Sequence, residues 1–478
     1  LHYSDLLRSF RCWRTVAVFT CVALLGTIYI KSMFFTHSID DEVLDEVPCP
    51  DFIPQVSQRV ADRVTDCVIT RLRKQCGKSL AGSWADPENV IVEKMNTCGL
   101  SNYLYMAQLK SHVPVQPEEP RKVLIRVYGE VLRSSVDSIV LDSINFAILS
   151  EKRIGPALYG VFPGGRIEEF IESRTMTTSE LRKSEAMKAV AQQLARIHNL
   201  NMPFCKQPRF IFKMMDKFLA QLSGRMDPPS RPPPNLSTPT LLVLEQEYLS
   251  DSRLDSVWNM DNFEAIQHTA TELGLYKEYE WLKQNLIERQ DDAFPVVFCH
   301  NDFQENNILV LNNPDVDGFY DVLPIDFEYS GYNFRGFDIG NHFNEWCYDY
   351  TCPDPPYFTY DFDSYPTLSQ QKEFWNTYLT ARITERRTSI DTSKSAGDTL
   401  NGSSTTTPHP LEDTKEDFEK LWLEATFGAL FSHLFWAAWS LIQSQISSIR
   451  FEFSKYASAR MDAYYRMKNS LKSRPDYQ

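Results

Sequence analysis

The sequence lacks the marks of several common functional classes. It has no excess of basic residues, because its 478 residues include 49 Lys and Arg against 63 Asp and Glu, a formal net charge of −14. A chain this acidic is a poor nonspecific partner for nucleic acid. It has no G-x-S-x-G motif, so a Ser/His/Asp hydrolase is unsupported. It also has no internal repeat.

Cysteine is sparse and irregularly spaced. The ten cysteines include no C-x-x-C pair and no zinc-ribbon spacing. We therefore expect buried, reduced thiols rather than a metal site. What the chain does have is an ordinary globular composition, with 43% apolar and 23% charged residues. This composition argues against a largely disordered or polytopic membrane protein, and the length suggests one large domain or two to three lobes.

From about Pro54 the sequence reads as mixed α/β. Residue patterns predict strands and helices, with Pro-Gly-Gly as a turn at 163–165. The predicted strands are Lys122–Tyr128, Leu158–Phe162, Arg166–Ile171, Pro295–Cys299, Ile308–Leu311 and Asp321–Ile325. The predicted helices are Val136–Leu149, Thr178–His198, Leu421–Ser444 and Ser454–Leu471. A Pro-rich loop at 227–234 and a Ser/Thr-rich segment, Thr388–Pro410, are predicted to be irregular, the second one disordered.

Residues 298–309, Phe-Cys-His-Asn-Asp-Phe-Gln-Glu-Asn-Asn-Ile-Leu, hold the densest group of polar side chains. Asn307 follows Asp302 after five residues, and Asp326 lies beyond the next predicted hairpin. Phosphoryl transfer needs an oriented, deprotonated acceptor hydroxyl and a metal held against the phosphates. An Asp and Asn on one loop and a second Asp after the hairpin can supply both, since hard oxygen ligands suit Mg²⁺. The pattern predicts phosphotransfer rather than a set of solvated loop acids.

These segments resemble the choline/ethanolamine kinase family. The resemblance covers roughly Ala61–Arg466 and is most specific at Val297–Asp302 and Ile325–Trp346. Shorter matches lie at Phe146–Leu149, Gly155–Gly160 and Ser432–Trp436. The resemblance implies an α/β (α+β), bilobal protein-kinase-like fold. A small β-rich N-lobe over 54–175 would bind the nucleotide, and a large, mostly helical C-lobe over 176–478 would bind choline and carry out catalysis.

The resemblance also implies ATP and Mg²⁺ as cofactors and assigns catalytic roles. Asp302 would be the base at the choline hydroxyl. Asn307 and Asp326 would hold Mg²⁺, with Glu328 as a further candidate ligand. Gln304 would lie near the nucleotide phosphates.

Other implied roles belong to the nucleotide and to the scaffold. Arg126 stands where protein kinases use a strand lysine, with Asp142 as its helix partner, and Asp338 would orient the catalytic loop. The implied phosphate-covering loop is Cys98, Gly99, Leu100, Ser101, Asn102, Tyr103 and Leu104. The implied adenine-holding hinge is Glu169, Phe170, Ile171, Glu172, Ser173 and Arg174.

A quaternary ammonium cannot donate a hydrogen bond, so it must be held by aromatic faces and by carboxylates at a distance. Trp436 and Trp439 are three residues apart on one predicted helix and share a face. The resemblance places them in a cation cage with Tyr329, Glu345, Tyr350, Phe451 and Tyr456. Without the resemblance, the two tryptophans would be core residues and Glu345 a surface carboxylate.

Four residues depart from the family pattern. Cys98 replaces glycine in the phosphate loop, and Asp142 replaces glutamate, which shortens its reach to Arg126. Asn306 replaces a common glycine, and Arg450 stands where relatives have an acid near the choline site. His198 has no partner acid or cysteine nearby in sequence, so we expect a packed helix-end histidine. His300 is expected to hold the catalytic loop.

Two rival functions stay open. An ethanolamine kinase, or a dual enzyme, would need more hydrogen-bonding groups around the ammonium, and the two tryptophans favour choline. A non-catalytic, membrane-tethered relative is the second rival. The resemblance also suggests a homodimer.

The N-terminal segment 1–47 motivates the second rival. Its apolar run, residues 15–35, reaches the length of a spanning helix only if Lys31 extends to the interface. We expect a single-pass anchor, while a cleaved signal peptide or a segment absent from the mature protein remains open. The basic residues before the run favour a lumenal body, whereas the need for ATP favours a cytoplasmic catalytic domain.

Overall fold

The computed structural model describes residues 53–95, 102–128, 136–162, 164–225, 260–289, 294–395, 417–447 and 451–474. These residues form two units. Unit 1 contains the described residues up to Glu151 together with Pro156–Phe170. Unit 2 contains Lys152–Gly155 and the described residues from Ile171 onward. The predicted anchor at 15–35 and the Pro-rich loop at 227–234 lie outside the described residues.

Unit 1 is built on a five-stranded antiparallel sheet with the order β1-β2-β3-β5-β4. Its strands are β1 (Val90–Lys94), β2 (Asn102–Leu109), β3 (Lys122–Tyr128), β4 (Leu158–Phe162) and β5 (Gly165–Glu169). Helix α1 (Ile53–Leu80) precedes the sheet and α2 (Val136–Glu151) follows β3. Strand β3 lies in the centre, where Val123, Ile125 and Val127 are fully buried. Their alternation leaves Arg126 on the opposite face of the strand.

Unit 2 is mostly helical. Its helices are α3 (Thr178–Leu181), α4 (Ser184–His198), α5 (Arg209–Leu222), α6 (Met260–Glu272), α7 (Leu275–Glu288), α8 (Pro314–Asp317), α9 (Arg335–Glu345), α10 (Leu368–Ser395), α11 (Phe418–Ile446) and α12 (Phe453–Lys472). Its short strands are β6 (Arg174–Thr175), β7 (Val296–Cys299), β8 (Ile308–Val310), β9 (Val322–Pro324), β10 (Gly331–Phe334), β11 (Tyr348–Asp349) and β12 (Thr359–Tyr360). They pair as β10-β7, β11-β12 and β6-β8-β9, all antiparallel.

Helix α11 is the centre of unit 2 and packs mainly against α9 and α12. Its contact with α9 is backbone to backbone, because a Cβ at Gly428 would collide with the Gly336 carbonyl and one at Gly340 with the Ala429 nitrogen. Among the described residues, α11 is the one helix long and apolar enough to cross a membrane. That apolar stretch is entirely buried in the protein, and a buried core helix meets the same criteria.

Three sequence predictions need correction. The helix predicted over Thr178–His198 is interrupted between Leu181 and Ser184, because Glu180 forms a capping box with Thr177 and its carbonyl accepts from the Lys183 N–H in a tighter i→i+3 bond. The strand predicted over Arg166–Ile171 is Gly165–Glu169.

The third correction concerns Thr388–Pro410. Helix α10 continues to Ser395, because no Gly or Pro interrupts the sequence between Leu368 and Gly397. The rest of that segment lies outside the described residues. For cysteine, Cys76, Cys299 and Cys347 are buried free thiols as expected, whereas Cys205 is exposed.

Candidate active site

The loop after β7 in unit 2 brings Asp302 and Asn307 together. The Asn307 amide donates from Nδ2 to both the backbone oxygen and Oδ2 of Asp302, each at 2.9 Å. A short 3₁₀ turn, Glu305–Asn307, makes this contact possible. Because Asn306 lies within that turn, its position does not require the glycine expected from the resemblance. Gln304 is adjacent, with Nε2 3.5 Å from Asp302 Oδ2.

Asp338 on α9 fixes the start of this loop. Its two carboxylate oxygens accept the backbone N–H groups of His300 and Asn301, each at 2.6 Å. Asn301 has a left-handed backbone, φ 67°, and its side chain donates to the Tyr329 carbonyl and accepts from Asn333 at 2.9 and 2.8 Å. Asn tolerates this conformation better than most residues. The expected orienting position of Asp338 matches the geometry.

The two histidines singled out in the sequence also hold this loop. His300 contacts the Ile325 carbonyl through Nε2 at 2.9 Å. His198 contacts Asp338 through Nε2 at 3.0 Å and the Tyr378 hydroxyl through Nδ1 at 2.8 Å. No acid lies near His198 in sequence, but the fold brings Asp338, 140 residues further along the chain, into contact with it. The packed helix-end position itself matches the expectation.

His198, Cys299 and Asp338 place ligand-type atoms within 4.8 Å of one another. These groups have other bonds. Both His198 ring nitrogens and both Asp338 oxygens are already hydrogen-bonded, and burial raises the pKa of the Cys299 thiol well above its usual value. The cluster therefore holds the loop in place and is not a metal centre.

The electrostatic surroundings suit Asp302 to accept a proton. Burial raises the pKa of Asp302 to about 7, and the negative charges of Glu345 and Asp326 add to the shift. Glu305, which the sequence analysis did not assign, is 3% exposed. Burial raises its pKa well above the usual range, and the charge of Glu345 adds to this. The loop therefore contains one carboxyl with a pKa of about 7 and a second whose pKa is also raised well above its usual range.

The residues expected to bind Mg²⁺ fit that ion by their chemistry. The Asn307 amide nitrogen is committed to Asp302, which leaves its Oδ1 oxygen as the group that can face a cation. The Ile325 N–H donates to the Asn307 carbonyl at 2.9 Å, which joins the Asn307 loop to the Asp326 segment. Burial and the charges of Glu328, Asp302 and Asp326 raise the pKa of the Tyr329 hydroxyl, so these three carboxylates lie close enough to Tyr329 to act on it together. The oxygen ligands of Asn307, Asp326 and Glu328 therefore meet the requirements of a hard cation.

The aromatic residues predicted to form a cation cage lie together in unit 2. Trp436 contacts Tyr329 and Trp439, with ring centroids 5.3 and 5.4 Å apart. Trp439 donates its Nε1–H to the Tyr329 hydroxyl at 3.0 Å. Phe453, which the sequence analysis missed, contacts both Trp439 and Phe451, at 5.9 and 4.9 Å.

Tyr350 and Tyr456 complete the cage around Glu345. Phe451 packs on Tyr456, and the two tyrosine hydroxyls are 2.8 Å apart. The Tyr350 hydroxyl donates to Glu345 at 2.8 Å. Glu345 is 2% exposed, so the alternative of a surface carboxylate is wrong. The structure thus brings all seven predicted cage residues into one connected group.

Arg460 is a member of this site that sequence reasoning did not find. It is 1% exposed and forms an ion pair with Glu345. Its guanidinium lies 4.1 Å from the Tyr348 ring centroid and 4.9 Å from that of Tyr456. Its position four residues after Tyr456 on a helix was the available signal. Arg450, the departure noted in the sequence, lies outside the described residues.

Arg126, the arginine predicted to serve the nucleotide, belongs to a larger group of charged side chains in unit 1 than the predicted pair. Arg126 donates through Nε to Glu168 at 2.8 Å, and Arg166 donates to the same oxygen at 2.7 Å. Asp142 forms an ion pair with Arg166. The expected simple pair of Arg126 and Asp142 is therefore a four-charge cluster, because Arg126 and Arg166 are cross-strand partners on β3 and β5 and two arginines face to face require two acids.

The other predicted nucleotide residues are only partly described. Cys98, Gly99, Leu100 and Ser101 lie outside the described residues, while Asn102, Tyr103 and Leu104 begin β2. Glu169 ends β5, where its carboxylate accepts the Ala157 N–H at 3.0 Å. Phe170 belongs to unit 1, and the remaining hinge residues, Ile171, Glu172, Ser173 and Arg174, belong to unit 2. Arg174 forms a bidentate pair with Glu180 at 2.8 and 2.7 Å.

Comparison with known proteins relates the chain to one family. The family model for choline/ethanolamine kinase matches residues 92–465. A choline/ethanolamine kinase from Mus musculus is 37% identical over 452 residues, covering 94% of this chain and 98% of the relative. The Homo sapiens protein with the same description is 37% identical, covering 90% and 93%. Choline kinase alpha from Mus musculus is 35% identical, covering 83% and 80%.

Solved structures share the fold. A choline kinase from Cryptosporidium parvum has a TM-score of 0.54 at 25% identity, covering 85% of this chain and 96% of that chain. An ethanolamine kinase from Plasmodium vivax has a TM-score of 0.55 at 20% identity, covering 91% and 100%.

Proposed function

This chain belongs to the choline/ethanolamine kinase family of phosphotransferases, and on that premise we propose that it transfers the γ-phosphoryl group of ATP to the hydroxyl of choline. The product would be phosphocholine, the first intermediate on the CDP-choline route to phosphatidylcholine. The observation that best supports choline is the connected group of aromatic residues around Glu345. This group and Asp302 both belong to unit 2.

Asp302 would accept the proton of the choline hydroxyl. A general base works best when its pKa is near the working pH, and a pKa of about 7 meets that condition. The Asn307 amide holds Asp302 through two hydrogen bonds, one to its backbone oxygen and one to Oδ2, and the second fixes the side-chain rotamer. Asp338 fixes the loop backbone through two more. Mg²⁺ held by Asn307, Asp326 and Glu328 would neutralise phosphate charge, and Gln304 would lie beside the phosphates.

The cage would hold the ammonium group. The faces of Trp436, Trp439 and Tyr329 attract a cation without needing a hydrogen bond from it. Glu345 supplies a carboxylate, which Arg460 and the Tyr350 hydroxyl hold in place. Ethanolamine is the second acceptor to consider, because its primary ammonium can donate to Glu345. A relative described as ethanolamine kinase 2, from Mus musculus, is 28% identical over 346 residues.

The first experiment measures phosphorylation of choline and of ethanolamine by the full chain with Mg²⁺ and ATP. We expect choline to be the better acceptor by kcat/KM. Asp302→Asn should lower kcat about 10³-fold and leave nucleotide binding intact. Asp462→Asn, an exposed acid on α12, is the matched control and should keep wild-type activity. Nucleotide binding without turnover of either acceptor would favour the non-catalytic rival.

The second experiment tests the cage. Trp439→Leu removes one aromatic face and should raise the KM for choline about tenfold, with a smaller rise for ethanolamine. Equal rises for both acceptors would contradict the assignment of this face to the quaternary group.

We further propose a homodimer and a cytoplasmic catalytic domain, the latter because the reaction needs ATP. Size-exclusion chromatography with light scattering tests the dimer, and protease protection of intact membranes tests the location.

A further inference from the structure

A buried chain of hydrogen bonds lies behind one wall of the cage. The indole of Trp436 donates through Nε1 to Asn341 Oδ1 at 2.9 Å, and Ser432 donates to the same oxygen at 2.7 Å. Asn344 donates through Nδ2 to Ser432 Oγ at 3.2 Å and to the Ala429 carbonyl at 3.0 Å. Asn341, Ser432 and Asn344 are each 0% exposed.

The orientation of the Asn341 amide is determined by its partner. An indole N–H can only donate, so Asn341 must present its oxygen to Trp436. The Nδ2 group of Asn341 then has no hydrogen-bond partner among the described residues. A buried, unpartnered donor is unfavourable for folding. The fold accepts that cost at Asn341 Nδ2, while Oδ1 of the same amide accepts from the Trp436 indole and the Ser432 hydroxyl and so fixes the ring.

The close approach of two helices makes this short connection possible. Asn341 and Asn344 are on α9, while Ser432 and Trp436 are one turn apart on α11. The glycine contacts between α9 and α11 bring the two backbones together at this level. Side chains as short as Asn and Ser can therefore meet across the interface.

Indole orientation matters because an aromatic ring attracts a cation only over its face. The ring edge carries the positive end of the quadrupole and repels a cation. Rotation of the Trp436 ring about its Cβ–Cγ bond would break the bond to Asn341 and change which part of the ring faces the cage. The Trp439 indole N–H donates to a different partner, the Tyr329 hydroxyl, so each indole N–H of the cage has its own acceptor.

Besides Asn341, helix α9 carries Asp338, which holds the catalytic loop, and Glu345 of the cage. Asp338, Asn341 and Glu345 are spaced i, i+3 and i+7, which places them on one face of the helix. Asp338 holds the catalytic loop, Asn341 holds Trp436, and Glu345 faces the tyrosines of the cage. One rigid helix thus sets the distance between the hydroxyl end and the ammonium end of the acceptor.

We propose that Asn341 is a positioning residue for ammonium recognition. It acts through Trp436, and Ser432 and Asn344 hold its amide. This inference rests on the proposed choline kinase function. In this proposal Asn341 affects how tightly choline binds but not the rate of phosphoryl transfer, and it does so without touching the substrate.

The test is a double-mutant cycle in the full chain, with kcat and KM measured for choline and for ATP. Asn341→Leu removes the acceptor, and Trp436→Phe removes the donor but keeps an aromatic face. We expect each to raise the choline KM about tenfold and leave kcat and the ATP KM within about twofold. The double variant should be no worse than the poorer single variant, because both remove one interaction. Multiplication of the two effects would overturn the proposal.

Three further variants keep the result interpretable if Asn341→Leu fails to fold. Asn341→Asp retains an acceptor oxygen and should keep the choline KM within about threefold of wild type. Ser432→Ala should raise the choline KM by a few-fold, whereas Ser440→Ala, a buried serine on the same helix that donates to Ala437, should not. A fall in kcat and in the melting temperature with unchanged choline KM would assign Asn341 a structural role and overturn the proposal.

Isothermal titration with choline, without ATP, separates this proposal from the proposed function. If wild type binds and phosphorylates choline but Asn341→Leu retains the wild-type dissociation constant, the positioning role is wrong and the function stands. If wild type neither binds nor phosphorylates choline, the function fails, and the positioning role fails with it.

Discussion

Units 1 and 2 each bury a group of charged side chains, and they balance the charges in opposite ways. In unit 1, two arginines face two acids. Burial alone would raise the pKa of Glu168, yet Arg126 and Arg166 bring it below the usual value. In unit 2, acids lie near other acids, so burial and neighbouring charges raise the pKa of Asp302 together. The cluster of two arginines and two acids in unit 1 stabilises a framework, whereas the raised pKa of Asp302 in unit 2 leaves that carboxyl able to exchange a proton near neutral pH.

The largest expected effect comes from the same substitution made in both units. Glu168→Gln leaves two buried arginines opposite each other with one acid removed, and it should lower the free energy of unfolding by about 3 kcal/mol. Glu305→Gln should change it by less than about 1 kcal/mol, because burial and the charge of Glu345 raise the pKa of the Glu305 carboxyl, so that its charged form is already disfavoured in the fold. Urea unfolding followed by circular dichroism measures both. Equal costs would refute the contrast between the units.

A pH-dependent effect on stability is expected next, at Asp302. Its folded-state pKa of about 7 is above the unfolded value, so its favourable contribution is present below about pH 4 and is lost as the pH rises through 7. Asp302→Asn should therefore stabilise the protein at pH 8 by on the order of 2 kcal/mol and change little at pH 4. Asp142→Asn is the control in unit 1. It should destabilise at pH 8, since Arg166 loses an ion pair there.

The activity should show the same titration. Below a pKa of about 7, kcat/KM for choline should fall tenfold per pH unit, because the protonated Asp302 cannot act as a base. Glu345→Gln should move this acidic side of the pH profile of kcat/KM to lower pH, since one of the charges that raises the pKa of Asp302 is removed. Glu305→Gln should leave the profile in place. If Glu345→Gln does not move the profile, the group that titrates in it is not Asp302.

The smallest expected effect tests whether pairing, rather than the unit, decides the behaviour. Glu180 is in unit 2, but Arg174 and Thr177 lower its pKa to about 2 against the effect of burial. Its contribution is present above the unfolded pKa and lost as the pH falls towards 2. Since Arg174 is half-exposed, Glu180→Gln should cost less than about 1 kcal/mol at pH 7, and the cost should disappear at low pH. A cost that persists at pH 2 would point to packing instead of charge.

The bilobal protein-kinase-like fold was predicted correctly, as the related solved structures confirm. The elements of the candidate site could also be predicted, because its chemistry is concentrated in short segments. Asp302 and Asn307 are five residues apart, and Asp326 follows one hairpin later, so local spacing sufficed. Strand β3 was predicted with its exact ends.

Two of the contacts that sequence reasoning missed join residues that are far apart in the chain. Arg460 is 115 residues from Glu345 and Glu168 is 42 residues from Arg126, and no local pattern links either pair. The pairing of Asp142 with Arg166 was not predicted, because the register of β3 and β5 that sets Arg126 against Arg166 is fixed only by the assembled sheet. The roles of the site residues stay predictions until the variants are measured.

The constrained residue before Asp302 also affects how the protein ages. Asparagine deamidates when the backbone nitrogen of the next residue attacks its side-chain carbon, which requires both groups to move freely. In this loop the Asn301 side chain is held by Tyr329 and Asn333, and the Asp302 nitrogen is turned towards His300 Nδ1. Asn301 should therefore resist spontaneous conversion to aspartate during storage. Deamidation at the Asn301–Asp302 pair, directly beside the base, should be slow.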